Sequence, residues 1–215
     1  MSKNIVIIGS GKGISKSVAE KFGSEGYHVI LIARSKEKLQ EISDELQQKD
    51  ISVQYYVADA KDSDSMKDVF EQIWENIGFI DTLLYNASKN KQVNIAEETA
   101  DSITKDFKTN VAAALTAIHL VLPDMEKNNV GTILLTGGGL ALHPDPEYGS
   151  LSIGKAGLRS LAESLHITLK PKNIYVGTVT VCGFVQDSDE KYNAPQIAEQ
   201  FWKLNTERNQ FEIQY

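Results

Sequence analysis

Two stretches of this chain combine residue types that can hold a doubly charged, nucleotide-like anion. The first is Gly9-Ser10-Gly11-Lys12-Gly13-Ile14-Ser15, directly after the apolar run Ile5–Ile8 and directly before a segment of helical period. Glycines between a strand and a helix let the backbone turn tightly and approach a pyrophosphate. The helix N-terminus then holds that anion with free N–H groups and the positive end of its dipole. A plain strand-to-helix turn is the alternative, because turns use glycine freely; the place after the first strand and before the first helix favours the anion site. The second stretch is Ala33-Arg34-Ser35, at the end of the second apolar run. A free ribose 2′-hydroxyl meets an Asp or Glu at such a strand end, whereas a 2′-phosphate meets Arg. No acid stands there. Arg34, Ser35 and, from the glycine loop, Lys12 suit a phosphate dianion, since charge-assisted hydrogen bonds are the strong ones. Arg34 as a solvated turn residue is the competing reading. The missing acid also counts against an S-adenosylmethionine methyltransferase, which needs a carboxylate on its ribose.

The elements that must position these residues alternate in kind. Ile5–Ile8, His28–Ala33, Val53–Val57, Thr82–Tyr85, Thr132–Leu135 and Tyr175–Val181 are short, β-branched apolar runs that read as buried strands. Helical patterns lie between them: Ser15–Ser24, Lys36–Lys49, Ser63–Asn76, a long one from about Asp101 to Met125, and Gly154–Lys170, which Pro171 stops. A short helix, Pro195–Leu204, and a strand, Phe211–Tyr215, close the chain. Strand–helix alternation at this period predicts a parallel sheet with right-handed crossovers and helices on both faces. No repeat, low-complexity tract or linker interrupts it, so residues 1–215 read as a single dinucleotide-binding domain.

Composition narrows the partners. A net charge of −7 argues against nucleic acid or anionic lipid. The apolar stretch Val111–Leu122, interrupted by Thr116 and His119, is too short to span a bilayer. Four apolar residues after the N-terminal Met-Ser-Lys-Asn are too few for a signal-peptide core, and a single cysteine, Cys182, fits the reducing cytoplasm. Four scattered histidines give no metal-ligand spacing.

Over nearly its whole length the sequence resembles the short-chain dehydrogenase/reductase family. Gly9-x-x-x-Gly13-Ile14 resembles the family's glycine motif, with Ile8 in place of Thr and Ser15 in place of the last Gly. Lys12 and Arg34 match the pattern of members that prefer NADP. Asp59-Ala60 resembles the adenine contact, and Tyr85-Asn86-Ala87-Ser88 the Asn-Asn-Ala-Gly run. Asn110-Val111 resembles the catalytic Asn, and Lys155 in Ser152-Ile153-Gly154-Lys155-Ala156 the active-site Lys. Cys182-Gly183-Phe184-Val185 stands where the family has Pro-Gly ahead of the nicotinamide. The resemblance implies a doubly wound α/β fold of the Rossmann type with about seven parallel strands and helices on both faces. It also implies NADP(H) as cofactor and a homodimer or homotetramer built on the long helix and the one containing Lys155.

The departures gather at the chemistry. The family's Tyr, four residues before the Lys, is Leu151 in this chain, and the Ser about thirteen residues earlier is Gly138. The Thr that follows Pro-Gly becomes Asp187. Carbonyl reduction needs a proton at the developing alkoxide, and a positioned acid contributes about 10²–10⁴-fold. Three residues offer substitutes: Tyr148, placed by its prolines and glycine in a loop, His143, and the Thr136 hydroxyl. Each also reads as an ordinary surface or structural residue. Two functions remain open on these residues. One is an NADP-dependent oxidoreductase, weak or inactive towards ordinary carbonyls; the other is a non-catalytic nucleotide-binding protein acting through oligomerisation or a partner. The short polar stretch between Val185 and Pro195, where the family builds its substrate lid, predicts a poorly enclosed pocket.

Overall fold

A computed structural model describes residues 3–215; Met1 and Ser2, with which the expected domain begins, lie outside the described residues. Seven parallel strands form one sheet in the order β3-β2-β1-β4-β5-β6-β7. They are β1 (Asn4–Ile8), β2 (His28–Ala33), β3 (Val53–Val57), β4 (Thr82–Tyr85), β5 (Gly131–Gly138), β6 (Ile174–Val181) and β7 (Glu212–Gln214). The α-helices are α1 (Ile14–Ser24), α2 (Lys36–Gln47), α3 (Ser63–Asn76), α4 (Ala100–Phe107), α5 (Ala113–Asn128), α6 (Gly149–Leu169) and α7 (Ala194–Glu207). The expected doubly wound α/β sheet is therefore present. Its strand order reverses between β1 and β4, which opens a crevice at the strand carboxyl ends.

Both faces of the sheet are buried, which is why its strands are apolar throughout rather than alternating. Val6, Ile8, Ile30, Ile32, Leu83, Tyr85, Ile133 and Leu135 face one core, where α3, α5 and α6 supply Phe70, Ile118 and Leu158. Ile5, Ile7, Val29, Leu31, Leu84, Leu134 and Val179 face the other, closed by Phe22, Leu39, Ile42 and Phe201 of α1, α2 and α7. Each such side chain contributes roughly 1.5–3 kcal/mol on burial. Trp202 stands edge-on to Phe22 and Tyr27, and Trp74 edge-on to Phe70. Ala113, Ala114 and Ala117 are buried within the chain's own core, so the alanine-rich face of α5 is covered without a second copy. No helix among the described residues is long and apolar enough to cross a membrane, and no group of metal-ligating side chains assembles among them.

Three elements depart from expectation. The long helix is not continuous: α4 passes through a π turn at Lys108–Ala112 before becoming α5, with the Ala113 amide reaching back to the Lys108 carbonyl. Two contacts from the β4 side hold that turn. The Tyr85 hydroxyl donates to the Thr109 carbonyl (2.5 Å), and Asn110 Oδ1 accepts from the Lys89 amide (2.7 Å). Helix α6 begins at Gly149, well before Gly154, so Tyr148 is its N-cap residue rather than part of a free loop. Gly149 has no room for a side chain, since a Cβ would come within 2.6 Å of Ile95, in a single helical turn at Ile95–Glu97 that sequence reading missed. Strand β5 runs to Gly138, which places Thr136 and Gly138 on one face of the strand end.

Candidate active site

The cleft at the strand carboxyl ends encloses about 670 Å³. Its walls include Gly9, Ser10, Gly11, Arg34, Ser35, Asp59, Ala60, Asn86 and Ala87, all singled out from the sequence. At Gly9 only glycine fits: its φ is +85°, and a Cβ would lie 2.3 Å from the Ala87 amide nitrogen. The glycine turn thus packs directly on the end of β4, where Asn86 Nδ2 donates to the Gly9 carbonyl (3.2 Å). Above Gly11 and Gly13 the space is open for 4 Å. α1 starts at Gly13 without a side-chain cap, whereas α2, α3, α4 and α7 are capped by Ser35, Asp62, Thr99 and Asn193. An uncapped helix start under open space fits a diphosphate. Ser15 turns inward instead: its hydroxyl accepts from the Gly11 amide (2.7 Å) and donates to the Gly11 carbonyl (3.1 Å), which stiffens the loop.

The cations of the cleft differ from expectation in one respect. Arg34 is exposed at its rim and makes no ion pair with a described residue. Lys12 lies outside the cleft walls, with its ammonium on Glu41 of α2 at 2.5 Å. Lys38, which sequence reading passed over, lines the cleft in its place, one turn into the helix that Ser35 caps. The signal was its spacing, three residues beyond the N-cap Ser. Asp59 Oδ1 accepts from the Lys61 amide (3.1 Å), which fixes the carboxylate at the far wall.

Asn110, on the π turn, and Lys155, on α6, are not among the residues that line the cleft. A Cβ on Gly154 would lie 2.6 Å from Asn110 Nδ2, and one on Gly157 would lie 2.9 Å from the Phe107 ring, so two glycines on α6 let the π turn press against it. Asn110 is buried; its Oδ1 is taken by Lys89, while its Nδ2 has no partner among the described residues. The Lys155 ammonium donates to the Thr136 carbonyl (2.8 Å), and burial pushes its pKa down to about 8. Thr136 is itself buried, with a hydroxyl that lacks a partner. Leu151 is buried one turn before Lys155 and offers no proton. The Lys155 stem crowds Gly138: a Cβ there would stand 3.3 Å from Lys155 Cε.

The remaining candidates are dispersed. His143 is exposed beyond Gly139, to whose carbonyl its amide donates. Gly13, Ile14, Gly183 and Val185 do not line the cleft. Gly183 backs onto the Tyr192 ring, where a Cβ would come within 2.4 Å, while Phe184, Val185 and Asp187 are exposed. A carboxylate that sequence reading missed, Asp106, does line the cleft, one turn before Asn110. It accepts from the Ser150 hydroxyl (2.9 Å) and lies 3.4 Å from the Lys91 ammonium, which also pairs with the buried Glu98 at 2.8 Å. Lys91 holds the Glu98 carboxyl below its ordinary range. Its signal was the four-residue spacing from Asn110.

The sequence family described as short chain dehydrogenase matches residues 3–196, and the chain belongs to that family. It is 28% identical over 176 residues to dehydrogenase/reductase SDR family member 4 of Sus scrofa, covering 81% of this chain but only 63% of that protein's length. It is 29% identical over 189 residues to the human inactive hydroxysteroid dehydrogenase-like protein 1, covering 80% of this chain and 52% of that protein. Among solved structures, YwfH, an NADPH dependent reductase involved in bacilysin biosynthesis, superposes with a TM-score of 0.87 at 19% identity, covering 97% of this chain and 92% of that one.

Proposed function

We propose that this chain binds NADP(H) in the crevice and acts as a short-chain oxidoreductase whose power to reduce ordinary carbonyls is low. The diphosphate would lie over Gly9–Ile14 at the uncapped start of α1, the 2′-phosphate against Arg34, Ser35 and Lys38, the adenine by Asp59 and Ala60, and the nicotinamide towards Asn110 and Lys155. When bound, the reduced cofactor supplies a hydride. The protein's share is to orient the carbonyl, polarise it and deliver a proton. Support for a weak reaction comes from one observation above all: the side chain one turn from Lys155 is buried Leu151, which can neither donate a proton nor a hydrogen bond. Gly138 removes a second donor to the oxyanion, worth a further ~10²–10³-fold where such donors have been deleted, although losses within one site do not simply multiply.

The second reading is a nucleotide-binding protein without catalysis, acting as a homodimer, a homotetramer or with another partner. What favours it is that buried Leu151 and Gly138 stand at two of the family's four catalytic positions and supply neither a proton nor a hydroxyl. Exposed Phe107 of α4 with Ile153 and Ile167 of α6 supports an assembly surface there. A single cysteine supports a cytoplasmic setting. Calorimetric titration with NADPH and NADH, followed by NADPH consumption over a panel of ketones, aldehydes and quinones, tests the assignment. Failure to bind either dinucleotide overturns it, and binding without consumption of any panel member selects the second reading.

A further inference from the structure

We propose that Lys155 is itself the proton donor of this site, delivering a proton from Nζ to the oxygen of the carbonyl being reduced. The inference rests on the cofactor reading above and deepens it. Of the three ammonium protons, one is directed to the Thr136 carbonyl at 2.8 Å, and no other protein acceptor engages the remaining two among the described residues. The side chain reaches that point by running past Gly138. A Cβ on that glycine would touch Lys155 Cε, Cδ and Cγ at 3.3, 3.4 and 3.5 Å, so the lysine stem borders the space that a carbonyl-binding hydroxyl would otherwise fill. On the helix side, Leu151 puts a hydrocarbon wall where an intervening acid would stand. Beside the buried, unpartnered Thr136 hydroxyl, the ammonium is the charged proton source where β5 meets α6.

No carboxylate holds that proton back. Two carboxylates on elements packed around α6 are engaged elsewhere: Asp106 of α4 with Ser150 and Lys91, and Glu212 of β7 with Arg159 through two bonds of 2.9 and 2.8 Å. Tyr148 at the start of α6 and Cys182 after β6 are the other titratable groups nearby, and the Cys182 thiol is turned to the Thr180 carbonyl. Lys155 forms no ion pair among the described residues, and burial alone brings its pKa to about 8, close to a working pH at which an acid can both hold and surrender its proton. The step balances. The carbonyl carbon gains the hydride of the reduced nicotinamide, the C=O π pair moves to oxygen, and that oxygen takes the proton from Nζ. Lys155 is left neutral and is re-protonated from solvent.

The test uses the whole chain with NADPH and 4-nitrobenzaldehyde, an aldehyde reactive enough for a site lacking its second donor. Turnover should be level below about pH 8 and fall roughly tenfold per pH unit above it. Lys155→Arg keeps a cation for the cofactor but cannot release a proton, so it should keep NADPH affinity within a few-fold and lose turnover by about a hundredfold or more. Independently of activity, carbon-13 at lysine Cε, assigned through the signal lost in Lys155→Met, should titrate with a midpoint near 8. An ordinary lysine midpoint, turnover intact in Lys155→Arg, or NADPH binding with no reduction at any pH would each overturn the proposal alone. Absent NADPH binding in the titration would instead overturn the cofactor reading, and this one with it.

Discussion

The Tyr85 hydroxyl, at the buried end of β4, donates at 2.5 Å to the carbonyl of Thr109 inside the π turn. That bond ties the strand end to the residue preceding Asn110. Tyr85→Phe removes the donor and leaves the half-buried Thr109 carbonyl without that partner, at a cost of about 1 kcal/mol. The urea midpoint should drop with an unchanged m-value, and the Lys89 amide, which Asn110 accepts, should exchange faster. Burial raises the phenol's pKa above its ordinary 10.0. A raised value means the contribution is complete below pH 10 and is lost as pH climbs further, so the gap between wild type and Tyr85→Phe should narrow only above that point.

Lys155 should also reveal itself in stability. Its folded pKa of about 8 lies below the ordinary 10.5, so the fold disfavours the charged form. The unfolded chain then binds more protons between those values, and stability rises with pH across that window. Lys155→Met should be more stable than wild type at pH 7, by about 1–3 kcal/mol, with the advantage fading from pH 8 to 10.5. Chemical denaturation at a series of pH values reads this, and a variant less stable than wild type at pH 7 would contradict it.

Cofactor choice should depend on Arg34 and Lys38, not Lys12. Arg34→Ala should cost NADPH about 1.5–3 kcal/mol of binding, tenfold or more in Kd, while NADH affinity moves little. Lys12→Ala should change NADPH affinity less than threefold, because its ammonium is already on Glu41. Equal losses for both dinucleotides in Arg34→Ala would remove the case for a 2′-phosphate contact.

Restoring two groups should restore chemistry. In Leu151→Tyr/Gly138→Ser, the phenol stands one turn from Lys155. The new Cβ meets only flexible lysine methylenes at 3.3 Å and beyond, which can give by a few tenths of an ångström. Reduction of simple ketones should rise by at least about tenfold, and the gain should vanish with Lys155→Ala. A brisk wild-type activity abolished by His143→Ala or Tyr148→Phe would show instead that the acid has moved to the loop before α6.

Light scattering should give a multiple of the 23.8 kDa chain mass. Ile153→Glu, at a position 41% exposed on α6, should shift the protein to monomer without unfolding it. A wild-type monomer at micromolar concentration would end the assembly proposal.

Much of the fold could be read because its strands are short apolar runs bounded by glycine or polar turns, and β2, β3 and β4 end where the pattern changes. Leu151 and Gly138 stood out only through the family resemblance, by their spacing from Lys155. What could not be read depends on residues distant in sequence. Position 149 must be glycine because Ile95 fills the space beside it, and the π turn is held by Tyr85 and Lys89. Lys12 was drawn to Glu41 by a helix packing that no local pattern expresses. Asp106 and Lys38 carry only a spacing signal, from Asn110 and from the N-cap Ser35, which gains meaning once the crevice forms around them.

Strand β1 lies inside the sheet, with a neighbour on each side. β1 pairs on one side with β2, Asn4 to Ile8 against His28 to Ile32, and on the other with β4, Ile5 to Ile8 against Thr82 to Tyr85. As the chain leaves the ribosome, β1, apolar from Ile5 to Ile8, has an edge without a partner until the residues of β4 emerge. For that interval the strand is a template for pairing with other chains. Fragments ending before Thr82 should accumulate as aggregates or on chaperones, and those extending past Tyr85 should be released.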